Sequence, residues 1–243
     1  MPSVPKWLGD TMDAVFSNMY HPVTVTQVEF FNDKLKRVRF EGDLSGTKFV
    51  PGNVVEFRVT PTDYRHYTPS YYNATEGVCE VLFYLHDQGV GSEWARELQT
   101  GQTMKLLGPG GKLKYEPSFS NHFVFGDETA LGLVACLQAA AETHSHSFFA
   151  LIETETAHRD WIGLFPLIPS VYVASSIENP ATAAIRFLED SADDWKTEIQ
   201  SSCYYLSGRA KSIQALRKYL LSKGVGMKQI KTEPYWAEGK KGL

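Results

Sequence analysis

Arg65, Tyr67 and Thr68 stand together in the octet RHYTPSYY, residues 65–72. Four aromatic side chains, counting His66, crowd into it, and Pro69 breaks the run. Proline has no amide to give to a strand ladder, so the strand stops there. A strand entering a core has no evident use for the cation of Arg65. The second stretch with chemical potential is HDQGVGSEWARELQ, 86–99, where Gly89 and Gly91 precede Ser92. Serine caps helices. Backbone amides at a helix start, with the dipole behind them, suit a phosphate. A plain turn before a capped helix uses the same residues, and a bare G-x-G does not separate the two. The third stretch is HFVFGDETALGL, 122–133, with Gly126 where a strand gives way to a helix. Open α/β sheets bind ligands at such places. Asp127 and Glu128 stabilise the helix start, and they would repel a phosphate set directly on it. A nucleotide here is therefore met by Gly126, Thr129 and Ala130.

Other chemistries find little support. There is no G-x-x-x-x-G-K-[ST] phosphate loop and no G-x-S-x-G nucleophile elbow. His144 and His146 flank a serine between a helix and a strand and read as a polar loop. Cys79, Cys136 and Cys203 lie far apart in apolar runs, with no C-x-x-C. They read as buried, reduced thiols in a reducing compartment. Four thiolates for an iron–sulfur cluster are not available. The net charge of -4 argues against a nucleic-acid grip. No apolar run reaches membrane-spanning length, and the N-terminus lacks the apolar core of a signal peptide.

The elements that position these residues fall into two textures. Residues 20–116 offer short β-rich runs (VTVTQVEFF, KRVRFEG, NVVEFRVT, VCEVLFYL) punctuated by Gly and Pro. That pattern predicts an antiparallel β-barrel, interrupted by one short helix, SEWARELQ. Residues 117–243 alternate strand and helix: HFVFG, TALGLVACLQAAAE, SFFALIE, SVYVASS, TAAIRFLED, CYYLSG, KSIQALRKYLLSKG and MKQIKTEPYW. Alternation of this kind predicts an α/β domain with a mostly parallel sheet. Residues 1–19 predict an accessory helix.

In this order, Arg65-x-Tyr67-Thr68, HDQGVGSEWA at 86–95, GDETAL at 126–131 and YWAEG at 235–239 resemble the ferredoxin–NADP reductase superfamily. More closely, they resemble its siderophore-interacting branch, the FAD-dependent ferric-siderophore reductases. The likeness runs from Val23 to Gly239. It implies a cytoplasmic, monomeric enzyme with FAD as cofactor and NADH or NADPH as co-substrate. Hydride would pass to flavin N5, and single electrons would then pass to chelated Fe(III). It implies that Arg65 forks onto the FAD pyrophosphate and Tyr67 offers its face to the isoalloxazine. Thr68 would set its hydroxyl near N5, with Gly91 and Ser92 giving backbone donors to the diphosphate. His86, Gly89 and Trp94 complete that loop. Gly126, Asp127, Thr129 and Ala130 would meet the nucleotide, and Trp236 would lie near the flavin or its adenine end.

Lys48, Lys112 and Lys240 fall in segments that the resemblance brings towards an anionic ferric chelate. Glu153, at a strand end, would favour NADH; Arg159, Arg209 and Lys211 would favour NADPH; the balance leans to NADH. Three departures stand out. Ser70 replaces a usual arginine, GVGS stands for GPAS, and the cations after the tryptophan move to Lys240 and Lys241. Rival readings are a reductase for a ferredoxin or flavodoxin, a flavin reductase, and a carrier of flavin or siderophore without turnover.

Overall fold

The computed structural model describes residues 20–158, 161, 170–191 and 201–240. The expected helix at 1–19, Arg159 and Lys241 lie outside the described residues. The described residues divide into two compact units, one of residues 20–114 with Gly239 and Lys240, the other of residues between Tyr115 and Glu238.

The first unit is antiparallel. Its strands are β1 (Tyr20–Phe30), β2 (Leu35–Gly42), β3 (Val54–Arg58), β4 (Tyr64–Tyr67), β5 (Tyr71–Asn73), β6 (Val78–Tyr84) and β7 (Thr103–Gly110). Helix α1 (Val90–Glu97) lies between β6 and β7. The seven strands form one sheet in the order β4-β3-β7-β1-β2-β6-β5. Its two edge strands, β4 and β5, are consecutive in the chain and joined by Thr68, Pro69 and Ser70. In a flat sheet six strand spacings would part those edges by roughly 29 Å. Four Cα steps, from Tyr67 to Tyr71, reach at most about 14 Å. The sheet therefore rolls up, and its seam falls at Thr68–Ser70. Val25, Val38, Phe40, Val55, Phe57 and Val81 fill the interior, packed with Ala95 and Leu98 from α1 and the segment that follows it.

The second unit is parallel. Strands β8 (Asn121–Gly126), β9 (Ser147–Thr154), β10 (Ser170–Ala174), β11 (Ser202–Arg209) and β12 (Ile230–Trp236) form a sheet in the order β10-β9-β8-β11-β12. Every pairing is parallel. Helices α2 (Leu131–His144), α3 (Thr182–Asp190) and α4 (Ala210–Ser222) accompany it. Phe123, Phe125, Leu151 and Leu206 pack with Ala184 and Leu188 of α3 and Ile213, Leu216 and Leu220 of α4. The chain enters at β8, runs out to β10 and returns to β11 beside β8. The order reverses between β8 and β11, and a doubly wound sheet opens a crevice at the carboxyl ends of two such strands.

The three cysteines are free and buried. His144 ends α2, Ser145 caps it and His146 precedes β9, a polar connection between helix and strand as expected. His146 lies 2.8 Å from the Tyr115 hydroxyl and 3.2 Å from His122, whose ring stacks on Tyr115.

Candidate functional site

Within the first unit, the fold brings two of the sequence stretches together. Arg65 and Tyr67 alternate along β4, next to the seam. Gly91 opens α1. A Cβ built on Gly91 would come within 3.0 Å of the Tyr67 hydroxyl and 3.1 Å of Arg65 Cγ. The Tyr67 hydroxyl also donates to Gly91 O at 3.4 Å. Glycine lets the helix start come this close to β4 without shifting either side chain, which accounts for a glycine in a helix, where it is otherwise unfavourable.

Tyr67 is half-buried. Its ring meets Phe83 edge-on at 4.7 Å and lies 6.1 Å from Trp94 in near-parallel planes. Burial raises its phenol pKa, so it stays a neutral donor. Trp94 packs with Phe57 and Phe83 as well, so it buttresses Tyr67. Arg65 has an acidic neighbour within its own unit. Its Nη2 lies 3.7 Å from Asp63, and its Nη1 donates to Tyr64 O at 2.7 Å. The Asp63 contact is long and only about a fifth of each side chain stays accessible, but a guanidinium has five N–H donors and this leaves some for an anion.

Ser92 differs from expectation. Gly89, with φ 81°, is the N-cap of α1, and no side chain caps that end. Ser92 lies inside the helix. Its amide turns back to Gly89 O at 3.1 Å, and its hydroxyl accepts from Asp87 N at 3.2 Å. Ser92 thus shapes the turn, and the outward donor of the pair is Gly91. His86 and Gly89 are exposed at the loop's rim, and Thr68 is buried at the seam. Arg65, the Tyr67 face and the α1 start form a cation, a flat apolar surface and an amide cradle side by side. A flavin diphosphate fits such a set, and a cradle that any Cβ would fill is the structural sign of it.

The second unit assigns its polar groups otherwise. Gly126 allows the helix start to pack on β8, since a Cβ there would meet Ala130 Cβ at 2.4 Å. Asp127 is buried at the β8/β11 switch point and accepts from four donors. These are Thr129 N (2.9 Å), the Thr129 hydroxyl, Arg209 N (2.8 Å) and Trp236 Nε1 (2.8 Å). Gly208, φ +97°, makes room for this carboxylate, which a Cβ would meet at 2.6 Å. Burial pushes the Asp127 pKa up to about 6, against the pull of its donors. The expected contact of Asp127 with a cofactor is therefore replaced by a joint between three strand ends. Trp236 is the exposed part of that joint: its indole is fixed by Asp127 while 40% of the residue remains accessible.

Two more expectations are corrected. Glu153 does not face a ribose; it is 2% exposed and accepts from Ala181 N and the Ser212 hydroxyl. Arg209 is buried and donates to Ser176 O, Ile177 O and Glu238. Lys211 is exposed near Glu238. Glu128 is also inward, accepting from Thr154, Glu155 N and His158. What sequence reasoning missed is a cavity of about 250 Å³ at the carboxyl end of β10 and the start of α3. Ser175, Ser176, Asn179, Thr182 and Arg186 line it. The signal was present in SSIENPATAAIR: hydroxyls after a strand, then a cation one turn into a helix. Lys48, Lys112 and Lys240 are all exposed, on three separate stretches outside helices and strands.

A family model described as the siderophore-interacting FAD-binding domain matches residues 52–113, and the siderophore-interacting protein model matches 119–239. The chain belongs to the siderophore-interacting protein family. Ferric vibriobactin reductase from Vibrio cholerae is 22% identical over 193 residues, 72% of this chain and 65% of that protein. An NADPH-dependent ferric-chelate reductase of Escherichia coli is 23% identical over 178 residues, 71% of this chain and 65% of that protein. The chain thus spans just under two thirds of the length of these curated relatives. A siderophore-interacting protein from Acinetobacter baumannii has the same fold, with a TM-score of 0.73 at 15% identity over 91% of this chain and 92% of that one. Among the described residues no helix is long and apolar enough to cross a membrane.

Proposed function

We propose that this protein is an FAD-dependent reductase that uses a nicotinamide nucleotide to reduce iron(III) held in an organic chelate. The observation that carries the reading is the approach of Gly91 to Arg65 and Tyr67, which sets a cation and an aromatic face beside a helix start, the groups that a flavin diphosphate needs. Arg65 binds phosphate oxygens through its planar fork. Gly91 adds a backbone donor where the helix dipole favours an anion. Tyr67 holds the ring system by its face, backed by Phe83 and Trp94. Thr68, at the seam, sets its hydroxyl toward the reacting edge. FAD held there would supply the means to take a hydride from the nicotinamide and to give up its two electrons singly to iron(III). Each NAD(P)H oxidised then reduces two iron(III) ions and releases one proton. Iron(II) is held less tightly by hard oxygen donors, so reduction releases the metal. Lys48, Lys112 and Lys240 supply local positive charge for an anionic chelate on a chain of net charge -4.

The nucleotide's adenosine end fits the β10–α3 cavity. Its hydroxyls and Arg186 suit a ribose phosphate. With Glu153 turned inward, the argument for NADH loses its support, and NADPH is the preferred donor. The name of the Escherichia coli relative agrees. A reductase for a small electron-carrier protein is the second reading, favoured by the superfamily fold alone.

The test is a steady-state assay with a ferric chelate and a chromogenic trap for iron(II). Iron(II) should form only with FAD and a nicotinamide nucleotide present, faster with NADPH, and at two per nucleotide consumed. Nucleotide oxidation that reduces a carrier protein but never the chelate would reject the iron reading.

A further inference from the structure

Helix α1 has eight residues. Isolated helices shorter than about 12–15 residues do not hold in water, so α1 owes its place to its surroundings. Its N-terminal end carries no side-chain cap. Val90, Trp94 and Ala95, with Leu98 just beyond the helix, pack it against the barrel core. Its first turn holds two weak directional contacts, Tyr67 to Gly91 O at 3.4 Å and Asp87 N to the Ser92 hydroxyl at 3.2 Å, and the shorter ones sit at the other end. Lys36, on β2, is 0% exposed. Its Nζ donates to Ala95 O at 2.8 Å, Arg96 O at 2.9 Å and Leu98 O at 2.8 Å.

These are carbonyls of the last turn, which lack intrahelical donors. An ammonium has three N–H groups, and here each has an acceptor. A cation at a helix C-terminus is also favoured by the dipole. Lys36 breaks the in–out alternation of β2, because Leu35 beside it is buried as well. Its cross-strand neighbours are Phe30 and Phe83, and its Nζ lies 4.8 Å from the Phe30 ring centre. The charge whose field reaches it is Arg96; that charge, after burial itself, lowers its pKa to about 8. A lysine placed so is costly to bury unless its contacts do something that an apolar side chain would not.

We propose that Lys36 is a positioning residue for the flavin site. By clamping the last turn of α1 it fixes where the first turn stands, and hence the distance of Gly91 from Arg65 and Tyr67. This rests on the flavin reading given above.

The test compares apo-protein affinities for FAD and for riboflavin, which lacks phosphate, in Lys36→Met, Gly91→Ala and the unchanged protein. Methionine has a similar length and no donors. Lys36→Met should weaken FAD about ten- to a hundredfold, the scale of an ångström-sized misplacement, and riboflavin about threefold or less. Equal weakening of both ligands, or of neither, would overturn the inference. Gly91→Ala reports on the flavin reading separately. If it leaves FAD affinity unchanged, that reading fails first. If it weakens FAD and Lys36→Met does not, the Lys36 inference fails alone. Should Lys36→Met not fold, hydrogen exchange on the unchanged apo-protein decides. Amides of Trp94 to Glu97 protected as well as β2 support the clamp, and exchange at unstructured-chain rates rejects it.

Discussion

Arg65 and Asp127 are both charged residues at a strand end, and each has a glycine whose missing Cβ makes room for it. Their fates differ. Arg65 keeps about a fifth of its side chain accessible, has a long contact to Asp63 and packs on Gly91. Asp127 is buried under four donors from three segments of its own unit. The same contrast holds for the units as wholes. In the rolled antiparallel sheet Arg65 beside the seam keeps part of its side chain accessible. In the parallel sheet Asp127, Glu128, Glu153 and Arg209 are committed to joining loops to strand ends. A charged residue where a ligand is expected is evidence of a site only after its internal partners have been counted.

The sharpest way to break this comparison is to fill the first cradle. Gly91→Val should lower FAD affinity at least about a hundredfold, since two more methyl groups beyond the forbidden Cβ must displace Arg65 or Tyr67. Fluorescence titration of the apo-protein reads this. An affinity within a few-fold of the unchanged protein would mean that the cradle is not the flavin site. Arg65→Ala comes next. FAD affinity should fall about tenfold or more, while stability changes by less than about 1 kcal/mol, because the 3.7 Å contact to Asp63 is longer than a charge-assisted hydrogen bond. A large loss of stability with normal FAD content would put Arg65 among the structural residues instead.

In the second unit the order of effects should reverse. Glu153→Gln leaves the Ala181 amide and the Ser212 hydroxyl with a weaker acceptor and should cost about 1–3 kcal/mol in a denaturant melt. The ratio of NADPH to NADH turnover should not change, whereas Arg186→Ala should raise the KM for NADPH. A shifted ratio in the glutamate variant would restore Glu153 to the nucleotide site.

How much of this was legible in the sequence follows from what kind of signal each feature needs. The two sheets were readable because β-rich runs with Gly–Pro punctuation and strand–helix alternation are local patterns. The cradle was half legible: R-x-Y-T and G-x-G were visible, but their contact depends on the seam, a consequence of strand order. Ser92 was misjudged by one turn because a serine after glycine caps a helix only if the helix begins there, and it begins at Val90. Glu153, Arg209 and Lys36 could not be assigned, since their partners lie 28 to 62 residues away. A lysine in KLKRVRF looks like any solvated strand lysine until its acceptors are seen.

The smallest expected effect is a titration. Asp127 binds its proton in the folded state up to about pH 6 and in the unfolded chain near its ordinary 3.8. This group therefore favours the fold more at about pH 4 than at about pH 7, with the change falling between those two pKa values. Protonation turns one oxygen into a donor, so one of the four incoming bonds is lost. The emission of Trp236, isolated by difference against Trp236→Phe, should change with a midpoint near 6, and Asp127→Asn should abolish the change. A flat profile would mean that the joint between the strand ends does not respond to that proton.

The central claim is that one chain takes electrons from a nicotinamide nucleotide through FAD and gives them to chelated iron(III). It is tested most directly by anaerobic rapid mixing. The FAD-loaded protein, mixed with NADPH, should lose its yellow absorbance. Addition of a ferric chelate should bring the absorbance back as iron(II) appears in the trap. Absorbance that never bleaches, or that bleaches and is not restored by the chelate, would contradict the account.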